Sequence, residues 1–261
     1  MQVSTNSLKG NINHSVCAWC YPDMSLDELC MAAKRTGITG IDLVGPDGWA
    51  ILKKHGLYSP MCNGAEISLT EGFNHPQYHA QLLDNYTKMI PLVAAAGYTN
   101  LICFSGNRNV MDDETGLANC VEGIKPLLPI AQKYNVVLVM ELLNAKIDHP
   151  DYHCNKTPWG VELVKRLASP NFKLLYDIYH MQIEEGDIIR TIQENYQYIA
   201  HYHTGGVPGR NEIDQTQELN YPAIMNAIKN AGFKGFVAQE FIPAQQNKIA
   251  SLAKAVQICD V

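Results

Sequence analysis

No apolar run in this chain is long enough to span a membrane. Basic clusters are missing too: 20 Lys and Arg stand against 26 Asp and Glu, giving a formal charge of −6 and a pI near 5.8. A surface of that kind has nothing with which to neutralise a phosphate backbone, so nucleic acid is excluded as a partner. The N-terminal stretch MQVSTNSLKGNINHS lacks the apolar core of a secretory signal. Together these absences predict a soluble, cytoplasmic protein whose partner is neither nucleic acid nor a membrane.

Cysteine is present but sparse. Eight cysteines in 261 residues are too dilute for a disulfide scaffold. Several lie inside apolar runs, where a free thiol packs as a small core residue. Cys17-Ala-Trp-Cys20 spells a C-x-x-C pair, yet it has neither a second pair to complete a zinc site nor a thioredoxin-like helix start. Pro22 follows closely, and an irregular loop is the expectation there.

What the chain does have is strict alternation of strand-like and helix-like segments. A length of 261 residues with 46% hydrophobic side chains suits a single (β/α)8 TIM barrel, an α/β fold occupying residues 1–261 as one domain. Strands are expected at 13–19, 40–45, 58–64, 100–107, 136–144, 172–180, 198–206 and 235–243. They are short, β-branched and apolar on both faces, as in a buried parallel sheet. Ser25 with Glu28 forms a capping-box pattern at the first helix. A long helix should run from about His75 to Ala96 and stop at Gly97. Thr157 is expected to cap a later helix, with Pro158 in its first turn. A doubly wound open sheet is the competing architecture, but no glycine-rich phosphate turn follows the first strand.

Four residues carry the chemistry. Glu141, Asp177, His203 and Glu240 each close a separate strand-like run, at intervals of 36, 26 and 37 residues (177−141, 203−177, 240−203). Each interval approximates one strand-plus-helix unit, so the side chains should converge on the strand ends where barrel sites lie. Three carboxylates and an imidazole would repel one another in a dry site, and a divalent cation removes the conflict. An oxygen-rich set with one imidazole suits Mn²⁺, Mg²⁺ or a relative. His201 shares a strand face with His203 and is the alternative imidazole for the metal, although His203 lies nearer the strand end.

The following loops are polar. The stretch from Asn144 to Asn155 contains Lys146, Asp148, His149 and His153. Gly205 and Gly206 should let a substrate approach the backbone closely. Arg210 would then present a guanidinium suited to a carboxylate or to hydroxyls.

The segments VMELLN, YDIYHMQIEEGD, HYHTGGVPGR and VAQEF resemble the hydroxypyruvate isomerase branch of the xylose isomerase-like barrels, which also include ketose 3-epimerases acting on tagatose and psicose. The resemblance covers essentially the whole chain and is most specific from Glu141 to Pro243. It implies a metal held by Glu141, Asp177, His203 and Glu240, and substrate contacts from His180 and Arg210. Asn144, which opens the polar loop, is expected to join them. One position departs: hydroxypyruvate isomerases often carry Gln where this chain has His203, whereas the sugar epimerases carry His. The VPGRNE stretch and the later NYP are nearer the hydroxypyruvate isomerase side.

The implied reaction moves a proton beside a carbonyl through an enediolate, with Glu141 and Glu240 as acid and base. Hydroxypyruvate to tartronate semialdehyde is the first expectation, and ketose 3-epimerisation the alternative. The small polar substrate would be a hydroxy-keto acid or a ketose. A metal-dependent endonuclease of the same fold could enlist His14, His75, His79 and His149, but the acidic charge opposes it. A non-catalytic barrel would have lost metal ligands, and all four are present. Homo-oligomers are compatible with the sequence, although no helix stripe compels one.

Overall fold

The computed structural model describes residues 8–261; the first seven, which belong to the stretch read for a secretory signal, lie outside the described residues. Seven strands are assigned among the described residues: β1 Asn13–Cys17, β2 Gly40–Asp42, β3 Asn100–Cys103, β4 Val137–Leu142, β5 Phe172–Asp177, β6 Ile199–Thr204 and β7 Phe236–Gln239. The helices are α1 Leu26–Arg35, α2 Pro46–His55, α3 His79–Ala96, α4 Asp113–Ile124, α5 Leu128–Tyr134, α6 Thr157–Leu167, α7 Ile178–Glu184, α8 Ile188–Asn195, α9 Tyr221–Asn230 and α10 Lys248–Cys259. None of them is long and apolar enough to cross a membrane.

Strand order in the sheet is β2-β1-β7-β6-β5-β4-β3. The first strand of the chain therefore lies parallel to the last, Ser15 opposite Ala238 and Val16 opposite Gln239. That first-to-last pairing belongs to a barrel-type connection. A doubly wound sheet places its first strand between early and middle strands instead.

The chain resolves into two compact units. One comprises the described residues up to Pro60, Asp187–Tyr196 and Tyr202–Val261. Its strands bury Val16, Ile41 and Val237 together with Leu29 of α1, Leu52 of α2 and Leu252 of α10. The other comprises Met61–Gly186 and Gln197–His201. There Leu101, Leu138 and Leu174 are fully buried, as are Tyr86 of α3 and Leu163 of α6. Each such side chain contributes roughly 1.5–3 kcal/mol relative to leaving it exposed.

Local chemistry sets the element ends. The capping box forms: the Ser25 hydroxyl accepts from the Glu28 N–H at 3.3 Å, and the Glu28 carboxylate accepts from the Ser25 N–H at 2.8 Å. Helices α2 and α3 stop at Gly56 and Gly97, whose φ values of 67° and 85° suit residues without a Cβ. Within α4, Gly116 and Gly123 stand where a Cβ would come within 2.0 Å of the His153 ring and 2.6 Å of the His79 ring.

Four expectations need correction. The third strand is reduced to isolated bridges, Tyr58 with Gly40 and Cys62 with Leu101. Pro60 sits between them and has no N–H to continue a ladder. The helix expected from His75 begins at His79, because Pro76 opens a 3-10 turn and holds His75 extended at φ −114°, ψ 112°. Thr157 does not cap α6. The cap position is Lys156, without a side-chain bond, and the Glu185 carboxylate accepts from the Thr157 N–H at 2.9 Å and hydroxyl at 2.6 Å. The strand read as 172–180 ends at Asp177, because the Asp177 carboxylate accepts from the His180 N–H at 3.2 Å and starts α7.

His14 lies on β1 with 2% of its surface exposed, and neither ring nitrogen has a hydrogen-bond partner among the described residues. Burial holds its pKa down at about 4, with Asp260 pulling the other way. The folded chain keeps this ring neutral, whereas the unfolded chain protonates it near pH 6.5. Stability attributable to His14 is thus complete above pH 6.5 and falls as the pH drops toward 4. The loss should reach up to ~3 kcal/mol, at 1.36 kcal/mol per pKa unit. Urea melts between pH 7.5 and pH 4.5 (about neutral to mildly acidic) should show the decline, and His14→Leu should flatten it.

Candidate metal and catalytic centre

Strand register places the first group of side chains. Cys17 of β1 is level with Asp42 of β2. Ser15 is level with Ala238, and His203 of β6 is level with the same Ala238. Side chains two apart share a strand face, so Cys17, Asp42, His203 and Glu240 all point the same way past the strand ends. His14 takes the opposite face by the same rule.

The contacts follow. His203 Nδ1 lies 2.8 Å from Glu240 Oε2, and His203 Nε2 lies 3.4 Å from Asp42 Oδ2 and 3.8 Å from Cys17 Sγ. Trp19 Nε1 donates to Glu240 Oε1 at 2.8 Å. Arg210 donates from Nη2 to Glu240 Oε2 and from Nε to the Glu240 carbonyl at 3.2 Å. Burial pushes the His203 imidazole toward neutrality, but Cys17, Glu240 and Asp42 together outweigh it and raise its pKa well above the usual value. The positive charge so retained lies between two carboxylates, the kind of place a metal cation fills by displacing the proton.

The second group follows the same geometry. Glu141 of β4 is level with Leu175 of β5, so Asp177, two residues on, closes β5 on the same face. His180 Nε2 lies 3.6 Å from Asp177 Oδ2. Asn144 Nδ2 reaches both His180 Nδ1 at 2.6 Å and Asp148 Oδ2 at 2.7 Å. Its carbonyl accepts from the Ile147 and Asp148 N–H groups at 3.0 Å. Asn144 therefore shapes its loop as well as facing His180.

Glu141 and Asp177 close their strands in one unit, and His203 and Glu240 in the other; all four are buried, at 5%, 0%, 0% and 2% exposure. Three carboxylates and one imidazole are the oxygen-rich donor types that suit a divalent cation. His201, two residues before His203, is also buried.

Sequence reasoning missed Asp42 and Trp19. Asp42 carried the same signal as the others, an acid closing an apolar run, but in a strand of only three residues. It holds the far nitrogen of His203, the carboxylate–imidazole support that orients metal-binding histidines. Of the two glycines after β6, Gly206 has a structural reason of its own. A Cβ on Gly206 would lie 2.5 Å from the Glu212 carbonyl oxygen, so that glycine admits the chain's own return, which an isolated bridge to Asn211 closes. His75 and His79, enlisted for the endonuclease reading, are bonded to the carbonyls of Asn107 at 3.0 Å and Phe73 at 2.8 Å.

The sequence profile described as xylose isomerase-like TIM barrel matches residues 28–258. The chain belongs to this family. The (β/α)8 class expected from sequence stands with it, the third strand being reduced to bridges. Hydroxypyruvate isomerase of Escherichia coli (strain K12) is 28% identical over 169 residues, covering 64% of this chain and 65% of that one. D-psicose 3-epimerase of Ruminiclostridium cellulolyticum is 27% identical over 226 residues, covering 84% and 69%. The crystal structure of AP endonuclease, family 2, from Brucella melitensis superposes with a TM-score of 0.82 at 22% identity, over 93% of this chain and 98% of that one. At that identity the likeness is one of fold. The match spans 44% of the length of the human relative and 78% of that of the Danio rerio relative.

Glu184 ties the loop after β4 to α7: it accepts from the Ala145 N–H and from Asn155 Nδ2, both at 3.0 Å. Lys146 Nζ donates back to the Ile183 and Glu184 carbonyls, at 3.0 and 2.7 Å. Glu184→Ala strands two donors and should lower stability by about 1–3 kcal/mol. Denaturant melts of the variant, compared with Glu184→Gln, check the figure.

Proposed function

We propose that this chain is a metal-dependent isomerase that relocates a proton beside a carbonyl, acting on hydroxypyruvate to give tartronate semialdehyde. The single observation carrying the reading is that Glu141, Asp177, His203 and Glu240 each stand buried at the end of their own strand, with His203 Nδ1 2.8 Å from Glu240 Oε2. The isomerase and epimerase names of its curated relatives favour the same reaction class. The chain would act as one barrel domain, with a small polar substrate and a divalent cation held by those four residues.

A bound divalent cation would supply Lewis-acid stabilisation of enediolate charge. The remaining chemistry belongs to side chains. One glutamate takes the proton from the hydroxymethyl carbon of hydroxypyruvate, leaving an enediolate. A proton is then delivered to the neighbouring carbon, and the hydroxyl proton passes between the two oxygens. Glu141 and Glu240, from different strands, supply base and acid. Asp42 keeps the His203 ring in one orientation, while Arg210 and His180 orient the substrate.

A ketose 3-epimerase is the second reading. His203, where hydroxypyruvate isomerases often carry Gln, favours it, and so does the psicose epimerase among the relatives. In that reaction the proton leaves one face of the carbon and returns to the other.

The deciding assay supplies Mn²⁺ or Mg²⁺ to purified protein with hydroxypyruvate, tartronate semialdehyde and free ketoses. Chelation should abolish turnover. Glu141→Gln and Glu240→Gln should each cut kcat by roughly 100-fold or more. Wild-type rates in both metal-loaded variants would end the two-glutamate scheme.

Arg210 separates the two substrates. Its planar fork suits a carboxylate, and Lys keeps the charge but loses the fork. Arg210→Lys should raise KM for hydroxypyruvate by roughly 10-fold, as expected for one charge-assisted hydrogen bond, and change ketose kinetics less. Efficient epimerisation without hydroxypyruvate turnover would promote the second reading.

A further inference from the structure

The Cys17-Ala-Trp-Cys20 motif has no part in the proton transfer described above, yet its geometry is specific. After β1 the chain makes a 3-10 turn, Ala18–Cys20, with Cys17 and Cys20 buried on either side. The turn leaves Trp19 outside the core, 43% exposed. A large apolar ring gains little from that position unless it makes directed contacts. Trp19 makes two. Its indole N–H donates to Glu240 Oε1 at 2.8 Å, and the Arg210 guanidinium carbon lies 5.2 Å from the centre of a Trp19 ring. Such a cation over an aromatic face is itself attractive.

We propose that Trp19 is a positioning residue for Glu240. A glutamate side chain ends in a broad, weakly hindered torsion, so an unrestrained carboxylate samples many orientations. The indole N–H fixes Oε1 on one side. Oε2 is thereby turned toward His203 Nδ1, 2.8 Å away, and toward Arg210 Nη2. The ring also backs the guanidinium, so one side chain sets both the carboxylate and its basic neighbour. The two buried cysteines anchor the turn that presents the ring, which gives the motif a role in packing and not in redox chemistry. The significance of this placement rests on the reading of Glu240 as a proton-transfer group; the hydrogen bond itself does not.

The test uses the full chain as wild type, Trp19→Phe, Glu240→Gln and Glu240→Ala. The chain has three tryptophans, so three indole N–H cross-peaks are expected in a ¹H–¹⁵N spectrum. The peak absent from Trp19→Phe belongs to Trp19. It should move in both Glu240 variants, and in Glu240→Ala its exchange with solvent should speed up by roughly 10-fold or more, as expected for loss of a charge-assisted hydrogen bond. Using whichever substrate the wild type turns over at saturating Mg²⁺, Trp19→Phe should lower kcat by roughly 10- to 100-fold. KM should stay within about threefold, because a fixed carboxylate matters more to the transition state than to binding. An unmoved Trp19 peak in both Glu240 variants, or an unchanged kcat in Trp19→Phe, overturns the proposal. If the wild type turns over none of the substrates, the isomerase reading falls, and the Trp19 peak alone decides whether Trp19 holds Glu240.

Discussion

The arrangement at the strand ends depends on one imidazole held by carboxylates at both nitrogens. Glu240 approaches Nδ1 of His203 and Asp42 approaches Nε2. Buried carboxylates are costly unless they are paired and hydrogen-bonded, and removing one partner leaves the other stranded. The sheet register favours the pairing: Cys17 is level with Asp42, while His203 is level with Ser15 and Ala238, one same-face step before Cys17 and Glu240. Electrostatics and backbone geometry therefore select the same rotamer for His203. Its neighbours inherit their orientation from it.

Much of this was legible in the residues. Glu141, Asp177, His203 and Glu240 each close an apolar run at intervals near one strand-plus-helix unit, a signal that survives ignorance of loop shape. The structure buries all four at the ends of their strands. Asp42 escaped notice because its strand has only three residues. Trp19 escaped because the chemistry of a turn is set by tertiary contacts: nothing in Cys-Ala-Trp-Cys foretells a glutamate 221 residues away. The third strand failed at Pro60, where a single missing N–H interrupts a ladder that hydrophobicity alone had favoured. Thr157 failed as a cap for a related reason. The Glu185 carboxylate, distant in sequence, already takes both the N–H and the hydroxyl of Thr157.

The fold and the donor set do not by themselves choose a substrate. Two relatives are named hydroxypyruvate isomerase and D-psicose 3-epimerase, and the same fold occurs in a structure named AP endonuclease, family 2. One architecture can host several chemistries, so a substrate is read from the site and not from the fold. In this chain the loops after the strands differ in character. The one after β6 is turned back tightly on itself by Gly206 and places Arg210, at φ 57°, against Glu240. The one after β4 is polar and is held by hydrogen bonds that the Glu184 carboxylate accepts from Ala145 and Asn155.

That second loop reaches further than its own strand. His153 comes from it, stacks on Trp159 at 5.0 Å and bonds through Nδ1 to Asn74 at 3.1 Å. It presses against Gly116, a residue that costs α4 about 1 kcal/mol of intrinsic helix preference. The helix thus gives up local stability so that a loop side chain can lie against its backbone. Loop and helix become a single cooperative unit, and segments coupled in this way open together or not at all. Movement of the loop after β4 would have to carry α4 with it. The contact therefore ties the stability of the segment around His153 to that of α4.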